Sequence, residues 1–96
     1  MSADVEREAW ALVTIAHPTG LHARPAVKLT RLAKGFKADV WLRPHGQEAW
    51  IDARSVVKVM GLKLRTGSAV ELRAEGDEAL AAVGELKALI ERNFDE

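Results

Sequence analysis

Residues 20–26 read Gly-Leu-His-Ala-Arg-Pro-Ala and combine several groups that bind or react with phosphate. An imidazole, His22, precedes a guanidinium, Arg24, by two positions, and Pro25 follows directly. Proline is tolerated in the first turn of a helix, where its missing N–H costs no hydrogen bond. The pattern therefore predicts a helix that begins just after His22 and leaves the N–H groups of Ala23 and Arg24 without intrahelical partners.

This arrangement is suited to bind an anion and to react with one. Free amides converge at the positive end of the helix dipole, and Arg24 adds charge-assisted donors that match phosphate. A neutral imidazole is a nucleophile near physiological pH. These groups would stabilise a phosphoryl group carried on a ring nitrogen of His22, with neither a metal nor a catalytic triad. Residue types and spacing alone nevertheless favour a histidine that only caps the helix or turns the chain.

Composition limits the class of protein. The 96 residues fit one small domain, and cationic and anionic side chains number 14 each, without the cationic excess of a general nucleic-acid binder. The chain contains no cysteine, which excludes disulfides, thiolate metal sites and a cysteine nucleophile. No apolar run approaches the roughly 20 residues that span a bilayer, and the N-terminus lacks a signal-peptide pattern. We expect a cytoplasmic monomer without membrane insertion.

Hydrophobic patterning predicts the elements that position the motif. Alternating strands and helices with one apolar stripe indicate an α+β fold, an open-faced two-layer sandwich with a four-stranded antiparallel sheet and three helices on one face. The valine-rich segment 55–62 also suits a strand, but Ser55 as a helix N-cap favours a helix. The order is β-α-β-β-α-β-α, with strands at 10–16, 38–43, 48–52 and 68–74 and helices at 23–34, 55–62 and 77 to about 94.

Two further expectations concern the N-terminal residues and one glycine. Residues 1–8 are polar and are predicted to form a flexible N-terminal extension, with 9–96 as a single domain. Gly84 lies inside the last predicted helix, where glycine costs about 1 kcal/mol relative to alanine. A close contact with a neighbouring element is the one reason for Gly84 that the sequence offers.

The stretch GLHARPA resembles the active-site signature of HPr, the histidine-containing phosphocarrier family of the bacterial phosphoenolpyruvate:sugar phosphotransferase system. The predicted order of elements is similar to the HPr fold, and the resemblance extends from about Trp10 onward. It implies that His22 is phosphorylated through its Nδ1, that Arg24 steadies the phosphoryl group, and that Ala23 donates its backbone N–H.

The resemblance also implies partners and a mode of action. A carrier of this family accepts phosphate from phospho-enzyme I and passes it to a sugar-specific enzyme IIA domain. It needs no cofactor, and it is a stoichiometric carrier with a phosphohistidine intermediate rather than a classical enzyme. Two alternatives stay open: a regulatory binding module, and a nitrogen-type relay carrier that acts on regulators rather than on sugar uptake.

Residues 53–62, ARSVVKVMGL, resemble a second signature of the family. By this resemblance Ser55 is a target of HPr kinase/phosphorylase, and its phosphorylation governs docking to a transcriptional regulator in carbon catabolite regulation. A dianionic group at a helix N-terminus is electrostatically favourable, so the modification need not unfold the helix. The alternative interpretation is that Ser55 only caps the helix.

A small apolar patch with a basic rim is predicted around the two signatures and would suit transient docking of acidic partners. Ordinary core packing of its apolar members is the alternative. The predicted docking residues are Val27, Val56 and Met60, ringed by Arg24, Arg31 and Lys34.

The chain departs from the usual family spacing by two extra residues between the first helix and Ser55, which we place at about 45–51. Lys63 and Val27 also differ from the residues common at their positions. His17 and His45 lie beside turn residues and are interpreted as surface or turn histidines without a functional role. Three histidines without clustering do not predict a metal site.

Overall fold

A computed structural model describes residues 7–96. The predicted order of strands and helices is confirmed. The strands are β1 (Glu8–Thr14), β2 (Asp39–Pro44), β3 (Ile51–Asp52) and β4 (Ala69–Glu75). The helices are α1 (Ala23–Lys34), α2 (Val56–Gly61) and α3 (Ala79–Glu91), and a short 3₁₀ turn follows at Asn93–Asp95.

The sheet is antiparallel throughout, with the strand order β1-β4-β2-β3. Its inner face carries the alternating apolar residues that the sequence predicts, and the three helices cover it. Val40, Leu42 and Leu72 are fully buried there. The predicted apolar stripe of α1 is buried too, which fixes the helix against the core: Ala26, Leu29, Thr30 and Ala33. The α+β open-faced sandwich is confirmed.

The outer face of the sheet carries alternating aromatic and cationic side chains. The guanidinium of Arg73 lies 5.3 Å from the ring centre of Trp10 and 5.1 Å from that of Trp41. The guanidinium of Arg43 lies 4.2 Å from the ring centre of Trp50. Trp50 also makes an edge contact with Trp10 at 5.4 Å between ring centres. The loop between β2 and β3 therefore brings Trp50 across the outer face, and these contacts partly cover it.

The last helix ends earlier than the sequence predicts. α3 stops at Glu91, and Asn93, Phe94 and Asp95 have φ values of 55°, 58° and 60°. This left-handed conformation costs an L-residue about 1–2 kcal/mol. The turn redirects the chain so that the side chain of Phe94 is fully buried, and this burial of about 1.5–3 kcal/mol offsets part of the cost of the three left-handed residues. The predicted continuation of the helix to about Phe94 is therefore wrong.

The expected flexible extension, residues 1–8, falls mostly on residues 1–6, which lie outside the described part of the chain. Glu8 is the first residue of β1 and is paired with Glu75 of β4, so it belongs to the sheet. The segment 48–52 contributes only Ile51 and Asp52 as strand.

Replacing Gly84 by alanine should raise the free energy of unfolding by about 1 kcal/mol, because alanine loses less backbone entropy in a helix. Among residues 7–96, nothing lies within 4 Å of a Cβ built at this position, so that part of the chain does not make the close contact considered from the sequence. Urea unfolding of both proteins gives the difference. Gly20→Ala is the control: Gly20 has a φ of +71° and its Cβ would lie 2.6 Å from the Leu64 carbonyl oxygen, so this change should destabilise. Equal stability of Gly84→Ala and the parent would contradict the prediction.

Candidate functional site

His22 occupies the N-cap position of α1. Its backbone is extended, with φ −97° and ψ −158°, and its carbonyl accepts the Ala26 N–H at 2.9 Å. The side chain makes no capping hydrogen bond and the residue is exposed. The imidazole is therefore held at the start of the helix by its backbone, while its ring faces solvent.

The loop that presents His22 is fixed to the turn before β4. The Leu21 N–H donates to the Leu64 carbonyl at 2.9 Å. Gly20 passes so close to Leu64 that no larger residue fits, and its positive φ is one that glycine adopts without strain. Pro25 is buried in the first turn of α1. The backbone of His22 is thus anchored on both sides, which suits a group that must be presented in one position.

The backbone N–H groups of Ala23 and Arg24 point out of the helix start, and within residues 7–96 no acceptor is hydrogen-bonded to either. The first turn of α1 contains no acidic residue. The Arg24 side chain is 81% exposed and is therefore free to move toward a ligand. Two unpartnered amides, a helix dipole and a guanidinium make this end of α1 able to bind a dianion.

A carboxylate, Glu96, lies beside this site. Its Oε2 is 3.1 Å from Nζ of Lys28 and 3.7 Å from Nε of Arg24, and its Oε1 is 3.1 Å from Nε2 of His17. The hydrogen bond from Lys28 lowers the pKa of Glu96; burial opposes this, and His17 and Arg24 act with Lys28. Lys28 also donates to the Phe94 carbonyl at 2.8 Å, so this lysine holds the C-terminal turn against α1.

His17 lies at a turn, as the sequence predicts, but it is buried rather than at the surface. It is 8% exposed and lies between two aromatic rings, those of His22 and Phe94. The chain bends at the His-Pro-Thr turn, where Thr19 donates its N–H to Nδ1 of His17 at 3.2 Å and its hydroxyl oxygen lies 2.9 Å from the same nitrogen. The other turn histidine, His45, is exposed and lies 3.2 Å from a carboxylate oxygen of Glu71.

Ser55 caps α2, with its hydroxyl oxygen accepting the Lys58 N–H at 3.3 Å. The preceding Arg54 is already bound to the carboxylates of Asp39 and Asp52, at 3.0 and 3.2 Å. Asp39 follows α1, so Ser55 lies toward the end of that helix opposite His22. The structure therefore places both signatures at helix starts without bringing them together.

The predicted docking residues are spread along the same surface. Val27 and Val56 are half-buried, and Met60 is 38% exposed. Arg31 and Lys34 are exposed in the last turn of α1. A shallow concavity next to His22 is lined by Ala23, Arg24, Val27, Lys28 and Arg31. The basic rim is thus continuous with the anion site at the start of α1.

Sequence reasoning missed four residues of this region. Lys28 follows Arg24 by four positions, and that helical spacing could have placed it on the same side. Val57, 82% exposed on α2, belongs to the same valine run as Val56. His17 and Glu96 reach the site through tertiary contacts, for which the sequence carries no local signal.

Across residues 7–96, no group of three or more His, Asp or Glu side chains is placed to hold a metal ion. Among the described helices, none has the length and apolar character needed to cross a membrane.

Comparison with known families shows to which family this chain belongs. Residues 11–92 match the family described as the PTS HPr component phosphorylation site. The chain belongs to the HPr family of phosphocarriers. A solved HPr structure from Thermoanaerobacter tengcongensis superimposes with a TM-score of 0.85 at 34% identity, over 92% of this chain and 97% of that one.

Sequence relatives of this HPr-family chain include carriers of similar length. Phosphocarrier protein HPr of Cupriavidus necator is 40% identical over 86% of this chain and 91% of its own. Phosphocarrier protein NPr of Escherichia coli is 40% identical over 88% of this chain and 92% of its own. The chain also matches part of a longer protein: it is 41% identical to the multiphosphoryl transfer protein of Xanthomonas campestris over 90% of this chain, but spans only 10% of that relative.

Proposed function

We propose that this protein accepts a phosphoryl group from phospho-enzyme I on Nδ1 of His22 and passes it to enzyme IIA domains of the sugar phosphotransferase system. It acts as a monomer in the cytoplasm and needs no cofactor besides the covalently carried phosphoryl group. The observation that carries the proposal is the exposed imidazole of His22 next to the unpartnered amides of Ala23 and Arg24.

The proposed step is an in-line displacement. The ring nitrogen of His22 attacks phosphorus as the bond from phosphorus to the donor side chain breaks, and the departing donor takes up the proton that the His22 ring releases. Positioning and charge stabilisation dominate such transfers. The amides of Ala23 and Arg24 and the guanidinium of Arg24 stabilise the phosphoryl oxygens on arrival. Transfer to enzyme IIA is the same step with His22 as the leaving group.

The surface around His22 supports alternate docking of donor and acceptor. Its half-buried Val27 and partly exposed Met60 offer a small apolar contact, and the basic rim of Arg24, Arg31 and Lys34 complements acidic partners. Val56 extends this contact toward Ser55. Because the ring of His22 is exposed beside this surface, either partner reaches it without opening the fold.

Incubation with enzyme I and phosphoenolpyruvate tests the proposal directly. We expect one acid-labile phosphate per chain, detected by intact mass spectrometry and lost after mild acid. Adding a sugar-type enzyme IIA domain should then discharge the carrier. A protein that takes no phosphate under these conditions, or takes an acid-stable one, would contradict the proposed function.

A second candidate is a nitrogen-type relay carrier that acts on regulators. The 40% identity to phosphocarrier protein NPr favours it. The two candidates differ in their acceptor, so the phosphorylated protein should be offered sugar-type and nitrogen-type enzyme IIA domains in equal amounts. Faster discharge by the nitrogen-type domain would replace the first proposal by the second while leaving His22 as the carrier residue.

We further propose regulation at Ser55 by an HPr kinase/phosphorylase, with a transcriptional regulator as the reader. Cells grown on a preferred sugar should then contain a Ser55 phosphopeptide, measured by mass spectrometry with His22-containing peptides as an internal coverage control. The physical support is that Ser55 lies at the start of α2, where added negative charge is favourable. Complete peptide coverage without phosphorylated Ser55 would leave it as an N-cap, worth about 1 kcal/mol of stability.

A further inference from the structure

The ring of His17 is the aromatic neighbour of the His22 ring. The two ring centres are 5.9 Å apart and the planes meet at 69°, an edge-to-face arrangement. On its other side His17 contacts Phe94, with ring centres 6.2 Å apart. His17 is therefore held within the fold, whereas His22 is exposed, and the proposed phosphoryl transfer assigns His17 no role.

The hydrogen bonds of His17 specify one tautomer. The Thr19 N–H lies 3.2 Å from Nδ1, and a backbone amide can only donate, so Nδ1 accepts and carries no proton. In the neutral ring the proton then resides on Nε2, which lies 3.1 Å from Oε1 of Glu96 and donates to it. Both nitrogens of His17 are thus engaged, and the ring is fixed in orientation.

Glu96 connects His17 to Arg24, the other side chain that acts in the proposed transfer. While Oε1 accepts from His17, Oε2 lies 3.7 Å from Nε of Arg24 and 3.1 Å from Nζ of Lys28. Arg24 is otherwise largely solvated, since its side chain is 81% exposed. One buried histidine therefore contacts the His22 ring directly and reaches the Arg24 guanidinium through a single carboxylate.

From this geometry we propose that His17 is a positioning residue for phosphoryl acceptance. Its ring limits the rotation of the His22 imidazole, and its Nε2–H holds Glu96 where that carboxylate orients Arg24. An exposed histidine and an exposed arginine otherwise sample several rotamers, and each must be ordered before transfer. Because His17 orders the side chains of His22 and Arg24 before the donor arrives, we expect it to raise the rate of phosphoryl acceptance by about tenfold. The inference rests on the proposed role of His22.

Two variants distinguish the contact of His17 with the His22 ring from its hydrogen bond to Glu96. His17→Phe keeps a ring between His22 and Phe94 but removes the hydrogen bonds to Glu96 and Thr19. His17→Gln keeps an amide donor toward Glu96 but removes the ring. A third variant, Glu96→Gln, changes no buried residue and keeps a side-chain oxygen that can accept from Nε2 of His17, but it removes the negative charge that faces Arg24 and Lys28. Unfolding curves show which variants are folded. Glu96→Gln tests the link through Glu96 to Arg24 even if both His17 variants unfold.

Phosphoramidate is the probe, because it phosphorylates histidine without a protein partner: the ring nitrogen attacks phosphorus, the phosphorus–nitrogen bond of the reagent breaks and ammonia leaves. NMR of the His22 ring nitrogens and of the Arg24 Nε–H reports orientation independently of the reaction. We expect His17→Gln to broaden the His22 signals, Glu96→Gln to broaden the Arg24 signal, and His17→Phe to broaden that of Arg24 alone. Each should slow phosphorylation of His22, up to about tenfold.

The outcomes distinguish this inference from the proposed function. Folded His17 or Glu96 variants with parental His22 and Arg24 signals and a parental rate at His22 would overturn the positioning role alone. A parental protein that phosphoramidate and phospho-enzyme I both leave unmodified at His22 would instead overturn the proposed function. A slower rate with unchanged NMR signals would also count against positioning, because it would indicate an effect that does not pass through ring or guanidinium orientation.

Discussion

His22→Ala should abolish phosphorylation of this protein by enzyme I and phosphoenolpyruvate. The substitution removes the nucleophile, and the other two histidines do not replace it: His17 is buried with both ring nitrogens engaged, and His45 lies beside Glu71, away from the amides at the start of α1. Acid-labile phosphate, followed by intact mass spectrometry over time, measures the effect. Labelling should fall to the background of a reaction without enzyme I.

The fold should survive this change, because the His22 side chain makes no capping hydrogen bond and is exposed. His45→Ala is the matched control: it removes an exposed histidine from a turn elsewhere and should leave labelling at the parental rate. Acid-labile phosphate on the His22→Ala protein would show that another residue is the carrier. Loss of labelling in both variants would point instead to damaged docking or folding.

The position of His22 was predictable because local chemistry determines it. Pro25 restricts where α1 starts, and the alternating and helical patterns around it follow from which faces must be buried. Those rules operate over a few residues, so they apply before the tertiary fold is known. The same local reasoning placed Ser55 at the N-cap of α2, where its hydroxyl accepts the Lys58 N–H.

The surroundings of His22 were not predictable in this way. The contact of His17 with Glu96 joins residues 79 positions apart, and that of Lys28 with Phe94 joins residues 66 apart. The helical pattern of α3 continues toward Phe94 in the sequence, yet burying that ring requires a left-handed turn that no apolar periodicity encodes. The burial of His17 was not predictable for the same reason, because it depends on Phe94, which comes from the other end of the chain.

His22 and Ser55 begin helices that pack together, α1 and α2, but the two helix starts lie at opposite ends of the surface that these helices form. Leu21 is bonded to Leu64, which follows α2, while Arg54, which precedes α2, is bonded to Asp39, which follows α1. The two helices therefore run in opposite directions along the surface. If Ser55 is phosphorylated, its charge acts on the partner-facing surface rather than on the imidazole itself.

Arg24→Glu should slow phosphoryl acceptance by about 100-fold or more, the scale of losing one donor that stabilises developing charge. The change removes a guanidinium and adds a carboxylate beside amides that would receive the phosphoryl oxygens, so repulsion adds to the lost donor. Stability should change little, because the Arg24 side chain is 81% exposed and its ion pair with Glu96 is 3.7 Å long. Quench-flow kinetics with phospho-enzyme I give the rate and its concentration dependence.

Arg31→Glu is the control that shows whether a slower rate results from the charge next to His22 or from the net charge of the protein. Arg31 lies two turns further along α1, is exposed, and changes the net charge by the same amount when replaced. It belongs to the proposed docking rim, so its replacement should raise the concentration of phospho-enzyme I needed for half-maximal rate while leaving the saturated rate near the parental value. Arg24→Glu should lower the saturated rate itself. If both variants changed only the half-saturating concentration, Arg24 would contribute to docking like Arg31, and stabilisation of the transferred group would rest on the helix amides alone.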